Sequence, residues 1–221
     1  MTVARILRYH HELPVDFDQL LLGIHVDARA DRMHDPFTHR FHLVVDHWTR
    51  RPDFSCVVSY DGREPTGFAY GAPLAAGREW WRGLLDPAPD TAVTFGLSEL
   101  MVRPAWRGRG LARQLHDALL EDRPEELVCL LAEADRPRAQ ARCESWGYRP
   151  VGPTRPVDGS PAYTVMLRGL RPSLPPASTP PTSLPPTSTP LVPLRAAPLR
   201  SGQEYRERAV TPQDGPAAEE S

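Results

Sequence analysis

The sequence contains no lysine: all 26 of its Lys and Arg residues are arginine. That absence excludes the phosphate-loop lysine of Walker-type nucleotidases, a kinase-type lysine and any Schiff-base mechanism. GC-rich coding is the plain cause. Cysteine is scarce as well. Cys56, Cys129 and Cys143 are odd in number, widely separated and without paired metal-ligand spacing, so they read as free thiols in a reducing compartment. Neither sign of charge dominates: 28 Asp and Glu residues against 26 arginines leave a formal net charge of -2, which points away from nucleic acid and from a membrane surface. Apolar runs fall far short of a membrane span, and residues 1–14 lack an apolar secretory stretch, so a cytoplasmic protein is expected.

Proline, in contrast, is abundant and unevenly spread. Of 26 prolines in 221 residues, twelve lie from Arg171 onward, among many Ser and Thr and almost no large apolar side chains. Ser173-Leu-Pro-Pro-Ala-Ser-Thr-Pro180 nearly repeats as Ser183-Leu-Pro-Pro-Thr-Ser-Thr-Pro190. Such a stretch cannot bury enough surface to offset its ordering entropy, which predicts a disordered, partly polyproline II tail over 171–221. Pro190-Leu-Val-Pro-Leu-Arg195 has the PxxPxR form of a polyproline ligand, a weak pointer to a polyproline-binding partner. One folded domain is expected over 1–170.

Within that domain the pattern alternates. Asp16 with Gln19 resembles a capping box, and Phe17, Leu20, Leu21, Ile24 and Ala28 form an apolar stripe at helical spacing. A second helix is expected from about Pro36, with Phe37, Phe41, Val44 and Trp48 on one face. Strands are expected over 54–60, 67–74, 91–102, 126–131 and 163–167, with helices around Leu111, Leu115, Ala118 and Leu119 and over 138–146. This order gives an α/β or α+β sheet protein. His34, His39, His42 and His47 scatter around a helix and no acid or Cys pattern completes a site, so no metal is expected.

The most informative segment runs from Leu97 to Arg113, where a strand ends at Val102 and Gly108 and Gly110 open a helix. Free N–H groups and the positive end of a helix suit an anion, most naturally phosphate, and Arg107, Arg109 and Arg113 add positive charge. A Walker loop needs lysine, and the dinucleotide fingerprint needs a small residue where Arg113 stands.

Arg107-Gly-Arg-Gly-Leu-Ala112 matches the (Q/R)xxGx(G/A) signature of the GNAT superfamily of acyl-CoA-dependent N-acetyltransferases, and Glu99-Leu-Met-Val-Arg-Pro104 resembles the strand before it. Ala139 through Trp146-Gly147-Tyr148 resembles the family's second motif. The resemblance spans about 3–168. It implies a mixed, mostly antiparallel sheet of six to seven strands with about four helices, and a splayed strand pair that binds acyl-CoA. It also implies acetyl-CoA as cosubstrate, with main-chain groups of Leu100, Met101 and Val102 on the pantetheine arm and amides of Gly108, Arg109, Gly110, Leu111, Ala112 and Arg113, with Arg107, around the pyrophosphate. By that resemblance an amine attacks the thioester directly.

Two departures stand out. Cys143 replaces the tyrosine that often protonates the departing thiolate, and both a packing thiol and a proton donor remain open. Arg136 replaces the asparagine that commonly helps hold the cofactor arm. Glu99 is the candidate base or amine anchor, with a strand-end carboxylate satisfied by a neighbouring arginine as the other reading. Trp80 and Trp81 either stack on the acceptor or cap the sheet edge, and Asp27 is a further candidate for the acceptor side. The implied activity is acetyl transfer to a primary amine of a small molecule or peptide; a catalytically weak acyl-CoA-binding module with a partner-recruiting tail is the second reading.

Overall fold

The computed structural model describes residues 5–10, 12–35, 38–86, 93–156 and 160–170. The proline-rich stretch from 171 on, Pro36 and Phe37, and the first residues of the strand expected over 91–102 therefore lie outside the described residues. Among the described residues there are seven strands: β1 (Arg5–Tyr9), β2 (Ser55–Asp61), β3 (Glu64–Pro73), β4 (Thr94–Val102), β5 (Leu127–Glu133), β6 (Arg149–Thr154) and β7 (Tyr163–Gly169). They form one sheet in the order β1-β2-β3-β4-β5-β7-β6, in which only β4 and β5 run parallel. The same residues hold four α-helices, α1 (Phe17–Ala28), α2 (Phe41–Thr49), α3 (Leu111–Leu120) and α4 (Pro137–Ser145). This is the mixed, mostly antiparallel architecture that the motifs imply.

Period-2 alternation along the strands feeds two cores, one on each face of the sheet. On one face Phe17, Leu21 and Ile24 of α1 and Phe41, Val45 and Trp48 of α2 pack over Phe68, Tyr70 and Met101. On the other, Leu111, Leu115 and Leu119 of α3 pack over Val57, Phe95, Leu97 and Val128. Each such side chain removed from water contributes about 1.5–3 kcal/mol. The α1 stripe lies where its spacing predicts. Its capping box does not form: Asp16 accepts the Leu20 N–H through its main-chain oxygen at 3.0 Å, and its side chain makes no cap bond. The second helix begins later than expected, at Phe41, after a 3-10 turn over Thr38–Arg40.

Strands β1 and β6 escape a residue-by-residue reading. Both are edges of the sheet, where half-exposed positions blur the alternation. Strand β6 even contains Pro150 and Pro153, which an edge tolerates because one side of its backbone has no ladder to maintain. Among the described residues no helix is long and apolar enough to cross a membrane.

Candidate active site

The sheet opens at its centre. Strands β4 and β5 are paired from Thr94 with Leu127 to Leu97 with Leu130. Beyond that point β4 continues to Val102 and β5 to Glu133 without pairing to each other, while β4 stays bonded to β3 and β5 to β7. The inner edge of β4 past Leu97 therefore presents main-chain donors and acceptors with no strand opposite.

A β-bulge decides which side chains face this split. Gly71 pairs with Leu97 but Tyr70 pairs with Glu99, so Ser98 is an extra residue on β4. The extra residue reverses the parity of the strand. Phe95 and Leu97 face α3, and so do Leu100 and Val102, whereas Met101 lies in the core beneath α1. Glu99, paired with Tyr70, joins Met101 on the α1 side. Without the bulge it would lie with Leu97 on the opposite face.

Past Val102 the chain makes a short 3-10 turn over Pro104–Trp106 and reaches the two glycines. Gly108 has φ 77 and Gly110, the N-cap of α3, has φ 78. Left-handed backbone at both positions accounts for glycine there. A Cβ at Gly108 would meet nothing within 4 Å, and one at Gly110 only Gln114 Nε2 at 4.0 Å, so the space above the loop is open. By helix geometry the N–H groups of Leu111 and Ala112 have no intrahelical acceptor, whereas the Arg113 N–H donates to the Gly110 carbonyl at 3.1 Å. Two of the three arginine side chains here have partners within the protein. Arg107 donates to the carbonyls of Val102 (3.0 Å) and Ala28 (2.8 Å), tying the loop to the end of α1, and Arg113 pairs with Asp117 at 2.6 Å. Arg109 is exposed.

On the α1 side of the split, Glu99 is partly accessible, yet burial of its carboxyl pushes its pKa up to about 7; Arg29 opposes the shift and Glu133 adds to it. Glu133, at the end of β5, is clasped by three guanidinium groups. Arg29 reaches its Oε1 and Arg32 its Oε2, each at 2.7 Å, and Arg136 Nε lies 2.9 Å from Oε2. Tyr163 on β7 is the cross-strand neighbour of Glu133, and burial followed by Glu99 and Glu133 raises its phenol. Tyr70, also raised by burial and by Glu99, has no well-formed hydrogen bond to its hydroxyl, although Ser98 is near it. Sequence reasoning missed Arg29, Glu133 and Tyr163. Arg29 and Glu133 are 104 residues apart, and no local pattern marks either.

Other expected residues fall elsewhere. Trp81 is fully buried, its indole donating to Thr94 Oγ1 at 3.0 Å, so it offers no face to an acceptor: it seals the closed end of the β4–β5 pair. Trp80 packs edge-on against Trp48, 6.1 Å between ring centroids, near the same end. Asp27 is engaged by Arg103 at 2.5 Å. The Arg136 side chain pairs with Glu133. Cys143 is half-buried on α4 and packs into the α3-side core; burial pushes its thiol up to about 11. In the same core fully buried His116, also unforeseen, links Asp117 (2.8 Å) to the Tyr148 hydroxyl (3.0 Å), binding α3 to the second motif.

The sequence model of the acetyltransferase (GNAT) family matches residues 20–148. The chain belongs to that family. Three solved structures illustrate the shared GNAT fold. Escherichia coli ElaA has 22% identity and TM-score 0.53, with 75% of this chain and 99% of that chain covered. An acetyltransferase from Thermus thermophilus has 20% identity and TM-score 0.52, with 74% and 97% covered. An aminoglycoside 6'-acetyltransferase type Ii has 18% identity and TM-score 0.54, with 77% and 99% covered. At these identities the likeness concerns the fold. No curated protein sequence matches this GNAT chain.

Proposed function

We propose that this GNAT protein is an N-acetyltransferase that moves acetyl from acetyl-CoA to a primary amine. The observation that carries the reading is the break in β4–β5 pairing at Leu97, with an open, glycine-lined helix start at the end of the same strand. Acetyl-CoA fits both parts. Main-chain groups of Leu100, Met101 and Val102 would hold an extended pantetheine arm where a strand is missing, and amides of residues 108–113 would hold the pyrophosphate. Glu99 takes the proton from the attacking amine, directly or through water, as a new C–N bond replaces the C–S bond and the thiolate leaves. A carboxyl that titrates near neutral pH suits that task.

Incubation with acetyl-CoA and a panel of amines, following thiol release and acetylated product, tests the proposal. Product formation supports it. Tight CoA binding without turnover favours the binding-module reading, and absence of CoA binding overturns both.

Cys143→Ala is expected to lower kcat less than about tenfold, below the range of true general-acid assistance. A thiol pushed up to about 11 by burial is a poor proton donor, and water in the open split can protonate a thiolate. Rates at saturating acetyl-CoA check this; a hundredfold loss would make Cys143 the acid. The domain is proposed to span 1–170, so a chain ending at Arg171 should melt within a few degrees of the full chain and transfer acetyl as fast. A large drop in Tm would mean that residues 172–221 stabilise the domain.

A further inference from the structure

The acid–arginine cluster beneath the split holds more than a base needs. Strand β4 alone supplies Glu99; Glu133 comes from the far side of the gap, and Arg29 and Arg32 from the end of α1 and the turn after it. Helix α1 packs on β3 and β4, and these arginines tie its end to the end of β5, where main-chain pairing with β4 has stopped. Arg29 faces both carboxylates, yet its ion pair at 2.7 Å is to Glu133 and not to Glu99. Both oxygens of Glu133 accept short charge-assisted bonds, and its side chain is only 10% exposed.

We propose that Glu133 is a positioning residue: it draws the Arg29 guanidinium aside, keeping Glu99 clear of a direct ion pair and able to take a proton. An arginine paired directly with Glu99 would favour its charged form and make it a weak base. A cation left unpaired beside the split would also carry a desolvation cost. Glu133 removes both problems, and Arg32 and Arg136 hold its other oxygen, Oε2, in place. Among the described residues, the titratable groups that act on Glu99 are Arg29 just past α1, Glu133 from β5, Tyr70 from β3 and Tyr163 from β7.

This inference rests on the reading of Glu99 as the base, but its test does not require turnover. Glutamate carboxyl carbons can be followed by 13C NMR across pH in the full-length protein, with the Glu99 signal assigned by its loss in Glu99→Gln. In Glu133→Gln, Arg29 is released toward Glu99, and the Glu99 midpoint should fall by about one unit or more. Arg29→Met should raise it. Adding Glu133→Gln to Arg29→Met should then give a clearly smaller fall, because only the direct repulsion between the two carboxylates remains and the part that runs through Arg29 is gone. Glu133→Asp keeps the charge but shortens the reach to Arg29, so a smaller fall is expected, which also decides the matter if Glu133→Gln does not fold. Equal falls with and without Arg29, or no movement in Glu133→Asp and Glu133→Gln alike, overturn the proposal. The acid limb of the pH–rate profile for acetyl transfer should move with the NMR midpoint. If the midpoint moves and the rate profile does not, the assignment of Glu99 as base has failed and the positioning role stands.

Discussion

Gly110→Asp should abolish acetyl-CoA binding while Gly110→Asn retains most of it. At φ 78 any side chain is strained, but Asn and Asp tolerate left-handed backbone better than other residues and add nearly the same bulk. The pair thus isolates charge. If the amides of 108–113 hold a pyrophosphate, a carboxylate beside them costs several kcal/mol through like-charge repulsion. Calorimetry should then show the Kd for acetyl-CoA rising at least about a hundredfold for Asp and less than about tenfold for Asn. Equal losses would mean that loop geometry, not charge, is limiting. Unchanged affinity in a folded Gly110→Asp protein would remove the phosphate assignment and with it the proposed cosubstrate.

Glu99→Gln should lower kcat by about 10²–10⁴, the usual reach of general base assistance, with the KM for acetyl-CoA little changed. The pH dependence carries the sign. With a midpoint pushed up to about 7, Glu99 keeps its proton in acid and cannot accept another, so activity is present above that midpoint and falls as the pH drops through it. The Gln variant should lose this acid limb, leaving only the titration of the acceptor amine. Rates from about pH 5 to 9 at saturating acetyl-CoA compare the two proteins. A variant as fast as the parent would leave proton removal to water and make Glu99 a structural carboxylate.

Much of the fold was legible because it rests on local rules. The stripe of Phe17, Leu21 and Ile24, the row of Leu111, Leu115 and Leu119, and the strand that leads into Gly108 and Gly110 all express the period of their own element. The edges were not. The residues of β1 and β6 pair along one side only, and their half-exposed patterns resemble loops until the partner strand is present. The choice for Trp81 was open for a related reason. Trp81 in a loop suits a stacking platform as well as a core plug, and only the hydrogen bond to Thr94 and its complete burial distinguish them.

By itself the sequence determined the family, the sheet class and the glycine loop, because backbone dihedrals and short hydrophobic periods are encoded within a few residues of where they act. Tertiary structure decided the rest. It placed the extra Ser98 opposite β3, and that one residue turns Glu99 from the face of Leu97 to the face of Arg29. It also brought Arg29 and Arg32 across more than 100 residues of chain to Glu133. A carboxylate's proton affinity depends on burial and on charges within a few ångströms of it, and those neighbours are chosen by the packing of α1 over the split and not by any spacing along the chain.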